Sequence, residues 1–116
     1  MNQEYKELLR RIIAFRDARD WKQFHNPKDM AISLVLEANE FLEHFQWKNP
    51  EEVKQHINEN KEEISDELAD VLYWVLLISN DLNIDLYDAL TRKMAKNEAK
   101  YPVDKAKGKH TKYTEL

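Results

Sequence analysis

Cysteine is absent from the 116 residues, glycine occurs once and proline three times. Without cysteine there is no disulfide framework and no thiolate metal site, and a cytoplasmic location fits. So few backbone breakers argue for long helices over many short strands. Long apolar runs are lacking too. The longest, VLYWVLLI at 71–78, is far too short to span a bilayer, and the N-terminal MNQEYKELLRR has no apolar signal core, so no membrane partner is expected. Net positive charge is also missing. Eighteen Lys and Arg stand against twenty-two Asp and Glu, for a formal charge of −4, which argues against a general nucleic-acid binder.

What remains reads as one all-α domain spanning residues 1–116, a helical bundle of four to five helices with residues 102–116 as a Lys-rich tail. Apolar residues at helical spacing predict a first helix over 3–19, with Leu8, Leu9, Ile12, Ile13 and Phe15 as its core stripe. Asn26-Pro27 and Asn49-Pro50 are helix-start signals, Asn as N-cap and Pro at the first helical position. They open helices predicted over 27–45 and 50–59, the latter with a capping-box Glu52. A fourth helix is expected over 61–81 and a fifth from 85 to just before Pro102. The tail lacks periodicity and reads as mobile. Positions 68–78 are apolar nearly all round, which calls for burial on every side and implies a homo-oligomer.

Two acid pairs interrupt this apolar pattern. In LEANEFLEHFQW, Glu37 and Glu40 are three apart and share a helix face at the border of the core stripe. In EEISDELADVLYW, Glu63, Glu67 and Asp70 do the same, with Trp74 one turn on. If the two helices pack antiparallel, four or five carboxylates converge. Converging carboxylates repel and raise one another's pKa unless a cation neutralises them. Oxygen-only donors select Mg²⁺, Mn²⁺ or Ca²⁺. The di-iron bundles require Glu-x-x-His pairs, and neither pair here has one. Glu51, Glu52 and Glu62 read as a solvated face; His44, one turn after Glu40, either supports the acid ligands or is a surface residue, and the surface reading is taken for His44, His56 and His110.

Trp21, Phe24, His25, Trp47, Tyr73 and Trp74 are a rich aromatic supply for this length. Rings at a helix end or connector pack there or stack a nucleobase. Lys93, Asn97 and Lys100 share one helix face, either a polyphosphate-binding surface or a solvated basic helix end.

Taken together, FRDARDWKQFHNPKDM, LEANEFLEHFQWK, EISDELADVLYWV, KMAKNEAKYP and KYTEL resemble the all-α MazG-type nucleoside triphosphate pyrophosphohydrolases, and most of all their dCTP pyrophosphatase subfamily, over residues 12–116. The resemblance implies Mg²⁺, with Mn²⁺ as substitute, on Glu37, Glu40, Glu67 and Asp70. It places Trp21, Lys22, Gln23, Phe24, His25, Trp47 and Trp74 around base and sugar, and Lys93 and Asn97 on the phosphates. It also implies a homodimer or homotetramer and a deoxynucleoside triphosphate substrate, dCTP or a modified dCTP, cleaved to monophosphate and pyrophosphate in nucleotide-pool housecleaning. Glu37 or Glu40 would orient or deprotonate the attacking water. Two positions depart from the subfamily pattern: Trp74 stands where vertebrate members carry Tyr, and Ile12 where a pocket His is expected. Broad (d)NTP or dUTP turnover is the alternative within the same chemistry. A non-catalytic helical oligomer that binds nucleotide or metal is the alternative outside it.

Overall fold

The computed structural model describes residues 2–116. Every regular element among those residues is helical, with no strand: α1 (Gln3–Ala18), α2 (Pro27–Glu43), α3 (Pro50–Asp81), α4 (Leu86–Lys100) and α5 (Val103–Ala106), with 3₁₀ turns at Lys22–Phe24 and Tyr113–Glu115. Each of the four long helices starts on an Asn or Asp whose side chain accepts from the backbone N–H of the third residue on: Asn2, Asn26, Asn49 and Asp85. At Asn49 the capping box is complete, since Glu52 Oε1 also accepts from the Asn49 N–H at 3.1 Å.

The chain forms two compact units, residues 2–83 and 84–116. In the first, α2 packs along α3, and α1 packs on α3 as well. Met30, Leu76 and Leu77 are its fully buried apolar residues. Two residues with positive φ shape the helix ends. Asp20 (φ 55°) turns the chain after α1, and Asn83 (φ 54°) follows α3; Asp and Asn tolerate this left-handed region better than most side chains. The Asp20 turn is tied by Gln23, whose Nε2 donates to the Asp20 carbonyl and carboxylate at 2.9 Å each.

One expectation is refined and another changes. The helices predicted over 50–59 and 61–81 are both present, together named α3, and adjoin at a kink, where the intervening Asn60 has non-helical φ −129°, ψ 29°. Its Nδ2 donates to the His56 carbonyl at 3.2 Å, so a side chain competes with the helix's own hydrogen bonding at the break. The tail is also more ordered than its composition suggests. Residues 103–106 and 113–115 are helical, Tyr113 packs edge-on to Tyr101 with centroids 5.9 Å apart, and Lys100 Nζ lies 4.6 Å from the Tyr113 ring centroid. No described helix is long and apolar enough to cross a membrane.

Candidate metal centre and adjoining pocket

Glu37 and Glu40 on α2 face Glu67 and Asp70 on α3, and one carboxylate oxygen from each lies within 4.8 Å of those of the other three. The spacing does this: three-residue steps keep each pair on one face, and the α2–α3 packing brings the faces together. Glu63, on the same stripe of α3, does not join the group. Among the described residues the side-chain ion pairs are Arg16–Asp81 and Arg92–Asp88, so no protein cation neutralises the four acids.

The electrostatic consequence is visible. Burial, then the neighbouring Glu40, Asp70 and Glu67, push the Glu37 carboxyl up from 4.5 to about 7. Glu67 is raised too, first by a hydrogen bond shared with Glu40 and then by burial and charge repulsion. Glu37 Oε2 and Glu67 Oε2 are shielded from solvent and have no hydrogen-bond partner. An unpaired, desolvated carboxylate oxygen is costly. Two of them in an all-oxygen donor set fit a hard divalent cation, which would both neutralise the charge and satisfy the orphaned atoms.

A cavity of about 640 Å³ opens beside the cluster and includes Glu37 and Asp70 in its wall. That size suits a small-molecule ligand. Its other walls are Leu8, Arg11, Ile12 and Phe15 from α1, Trp21 and His25 from the connector, and Tyr73 and Trp74 from α3. The rings form a continuous edge-to-face chain: Trp21–Phe15 at 5.6 Å, Phe15–Tyr73 at 6.4 Å, Tyr73–Trp74 at 5.3 Å and Trp74–His25 at 5.3 Å between centroids. Arg19 caps the Phe15 ring at 3.8 Å.

The structure therefore brings the four acids together with Trp21, His25 and Trp74. It does not bring Lys22, Gln23, Phe24 or Trp47 into the cavity wall. Lys22 lines a separate groove with Asn80 and Asp81, Gln23 is engaged by Asp20, and Phe24 and Trp47 are 64% and 87% exposed. Lys93 and Asn97 lie on α4, in the 84–116 unit.

Several contributors are not evident from sequence. The α1 stripe read as core is partly an open wall, with Leu8 and Phe15 41% and 42% exposed. Helical periodicity marks a common face but does not say what covers it. Arg16, 1% exposed, forks onto Asp81 at 2.6 and 3.0 Å and also approaches His25. The hydrogen bond to Asp81 leads in raising the Arg16 pKa, and its counterpart lowers that of Asp81. His44 and His56, taken for surface residues, are half-buried partners across the α2–α3 seam, His44 Nδ1 to His56 Nε2 at 2.8 Å. Asn60 Nδ2 lies 3.0 Å from His56 Nδ1. His44 follows the acid face of α2 as its C-cap, one turn after Glu40, and His56 lies on α3 before the kink at Asn60.

Comparison with known proteins agrees with this geometry. Residues 32–116 match the model of the MazG-like family. The chain is 38% identical over 113 residues to dCTP pyrophosphatase 1 of Rattus norvegicus and 37% identical to that of Homo sapiens, covering 95% of this chain in each case. It spans 66% of the length of each of these relatives, just under two thirds. The crystal structure of a pyrophosphatase from Archaeoglobus fulgidus matches with a TM-score of 0.83 and 39% identity, over 88% of this chain and 95% of that one. With an all-helical fold and an acid cluster facing a ring-lined cavity, the chain belongs to the MazG-like family.

Proposed function

We propose that residues 1–116 act as a single domain with one activity: hydrolysis of a deoxynucleoside triphosphate, dCTP or a modified dCTP by preference, to the monophosphate and pyrophosphate. The observation that carries this reading is the sharing of Glu37 and Asp70 between the four-carboxylate cluster and the aromatic cavity. A flat base among the rings then has its phosphates directed towards the acids. The names of the rat and human relatives favour dCTP over broad (d)NTP or dUTP turnover.

Glu37, Glu40, Glu67 and Asp70 would hold Mg²⁺, with Mn²⁺ as a substitute. Bound there, the ion supplies Lewis-acid polarisation of phosphoryl oxygens and makes water more acidic. The chain's own groups do the rest. Trp21, Trp74 and the neighbouring rings hold the base and exclude water from the cavity. Glu37 or Glu40 orients the attacking water and accepts its proton as oxygen adds to the α-phosphorus. The bond from that phosphorus to the α–β bridging oxygen breaks, and pyrophosphate leaves. The roles of Lys22, Gln23, Phe24 and Trp47 at the substrate, and of Lys93 and Asn97 at the phosphates, rest on the sequence resemblance. A homodimer or homotetramer is part of the same reading, supported by Leu68 and Leu72 on α3, still 54% and 41% exposed. Work on a soluble nucleotide pool fits a cytoplasmic enzyme.

The test is a dNTP panel with and without Mg²⁺, assayed for phosphate before and after adding inorganic pyrophosphatase. Phosphate released only after that addition, with dCTP leading, is the expected result. Glu67→Gln should abolish turnover while leaving the helical circular dichroism intact. If no nucleotide turns over with Mg²⁺ or Mn²⁺, the hydrolase reading is wrong and the binding-oligomer alternative takes its place.

A further inference from the structure

The rings of the cavity recognise a flat ligand but do not by themselves read its hydrogen-bonding edge. His25 adds a polar group to that wall. Its state is set from behind, by residues outside the cavity. Arg16 is buried and held by a two-point fork on Asp81, Nη1 to Oδ2 at 2.6 Å and Nη2 to Oδ1 at 3.0 Å. So held, Nη1 lies 3.5 Å from Nδ1 of His25. That is a long contact, but its sign is fixed. A guanidinium has only donors and stays charged. An N–H on Nδ1 would point a second donor at it and be repelled, whereas a lone pair there is attracted. The ring proton therefore sits on Nε2. Burial and the adjacent Arg16 charge also lower the His25 pKa, which favours the neutral ring. Trp74, edge-on with its centroid 5.3 Å away, holds the ring plane. With the Nδ1 edge turned to Arg16, Nε2 is the ring nitrogen left for a ligand, and His25 stands in the wall of the aromatic cavity as well as in that of the groove with Lys22 and Asn80.

We infer that Arg16 and Asp81 are positioning residues that lock His25 as a neutral Nε2–H donor towards the aromatic cavity, so that the ligand edge reaching it is an acceptor, a carbonyl oxygen or an unprotonated ring nitrogen. This rests on the cavity being the nucleotide pocket. An exocyclic amine finds no acceptor at His25, so a base is oriented with its amine elsewhere. The neighbouring cation on Arg16 polarises the imidazole and strengthens the donor.

The test uses the full-length protein and dCMP, which needs neither metal nor turnover. Nitrogen-15 NMR of the His25 ring in the free protein at pH 7 should show Nε2 protonated and Nδ1 bare. Adding dCMP should shift the Nε2–H resonance. Arg16→Met alone strands Asp81 and risks unfolding, so it is combined with Asp81→Leu, since replacing both members of a buried pair by apolar residues is often neutral for stability. In the folded double variant the two tautomers should average, and dCMP should bind about fivefold more weakly by tryptophan quenching. Three results overturn the inference: an Nδ1-protonated or charged His25 in the free protein, an Nε2–H that dCMP leaves unmoved, or a double variant with wild-type tautomer and affinity. If dCMP does not bind at all while the tautomer is as described, it is the nucleotide-pocket reading that fails, and the role given to His25 falls with it. If dCMP binds to the opposite tautomer, only the present inference fails.

Discussion

Removing one carboxylate from the acid cluster should stabilise the metal-free protein and destroy its response to metal. Glu37→Gln is the sharpest case. The Glu37 carboxyl is pushed up from 4.5 to about 7 in the fold. Between those values the folded chain binds more protons than the unfolded one, so stability declines as pH rises through the window and levels off above about 7. At 1.36 kcal/mol per unit, the full shift corresponds to at most about 3 kcal/mol. The cluster opens onto solvent through Glu40 and Asp70, both exposed, and screening reduces the figure to about 1–2 kcal/mol. Glutamine keeps the shape and drops the charge. In EDTA at pH 8 the variant should therefore melt about 4–8 °C above the wild type, given about 4 °C per kcal/mol for a chain of this size. At pH 4, below the ordinary 4.5, where the wild-type carboxyl is mostly protonated in the folded and unfolded chain alike, the two melts should nearly coincide. Millimolar Mg²⁺ should raise the wild-type Tm by mass action and leave the variant's nearly unchanged. Thermal melts followed by circular dichroism at both pH values decide the matter. A variant no more stable than wild type at pH 8 in EDTA, or one that gains as much from Mg²⁺, refutes the account of the cluster as a charge-strained cation site.

Other outcomes follow from single contacts. Asp81→Asn leaves the buried Arg16 charge without its partner and should cost about 3 kcal/mol in urea unfolding, the low end for a broken buried pair because the Asp81 side chain is 15% exposed. Because the Asp81 pKa is depressed, its contribution is present above the ordinary 3.8 and is lost as acid titrates it below that value, so the acid-unfolding curves of variant and wild type should converge at low pH. His56→Leu breaks the bond to His44 and should lower stability by about 1–2 kcal/mol while helix content at 222 nm stays constant. Trp47→Ala, at a side chain 87% exposed, should move Tm by less than about 2 °C, within the range of ordinary surface changes; if Trp47 meets the substrate, KM for dCTP rises in the same variant.

Helix starts and the acid pairs were legible in the sequence because both are local. Asn26-Pro27, Asn49-Pro50 and the three-residue spacing of Glu37 with Glu40 and Glu67 with Asp70 depend on neighbours within one turn. The gap at Asn60 was legible as well, but as a boundary between two helices. Whether a break ends a helix or bends it depends on the side-chain bond to His56. Arg16 with Asp81 was not legible, since partners 65 positions apart leave no periodic trace. The His44–His56 pair was hidden for the same reason: each alone looks like a polar residue on a helix surface. Leu8, Ile12 and Phe15 were correctly placed on one face, yet that face borders a cavity.

Asp70 and Asp81 stand on the same stretch of α3, beyond the kink at Asn60. One helps form the acid cluster and the other holds Arg16 behind His25. At 1.5 Å per residue, the eleven steps between them make a ruler of about 16 Å. The ruler carries a phase as well as a length. A single inserted or deleted residue would turn one end by about 100° relative to the other and part the acids from the base-reading edge. Between these two positions the chain should accept no change of length, whereas the irregular backbone at Asn60 gives the segment before it a place to absorb one.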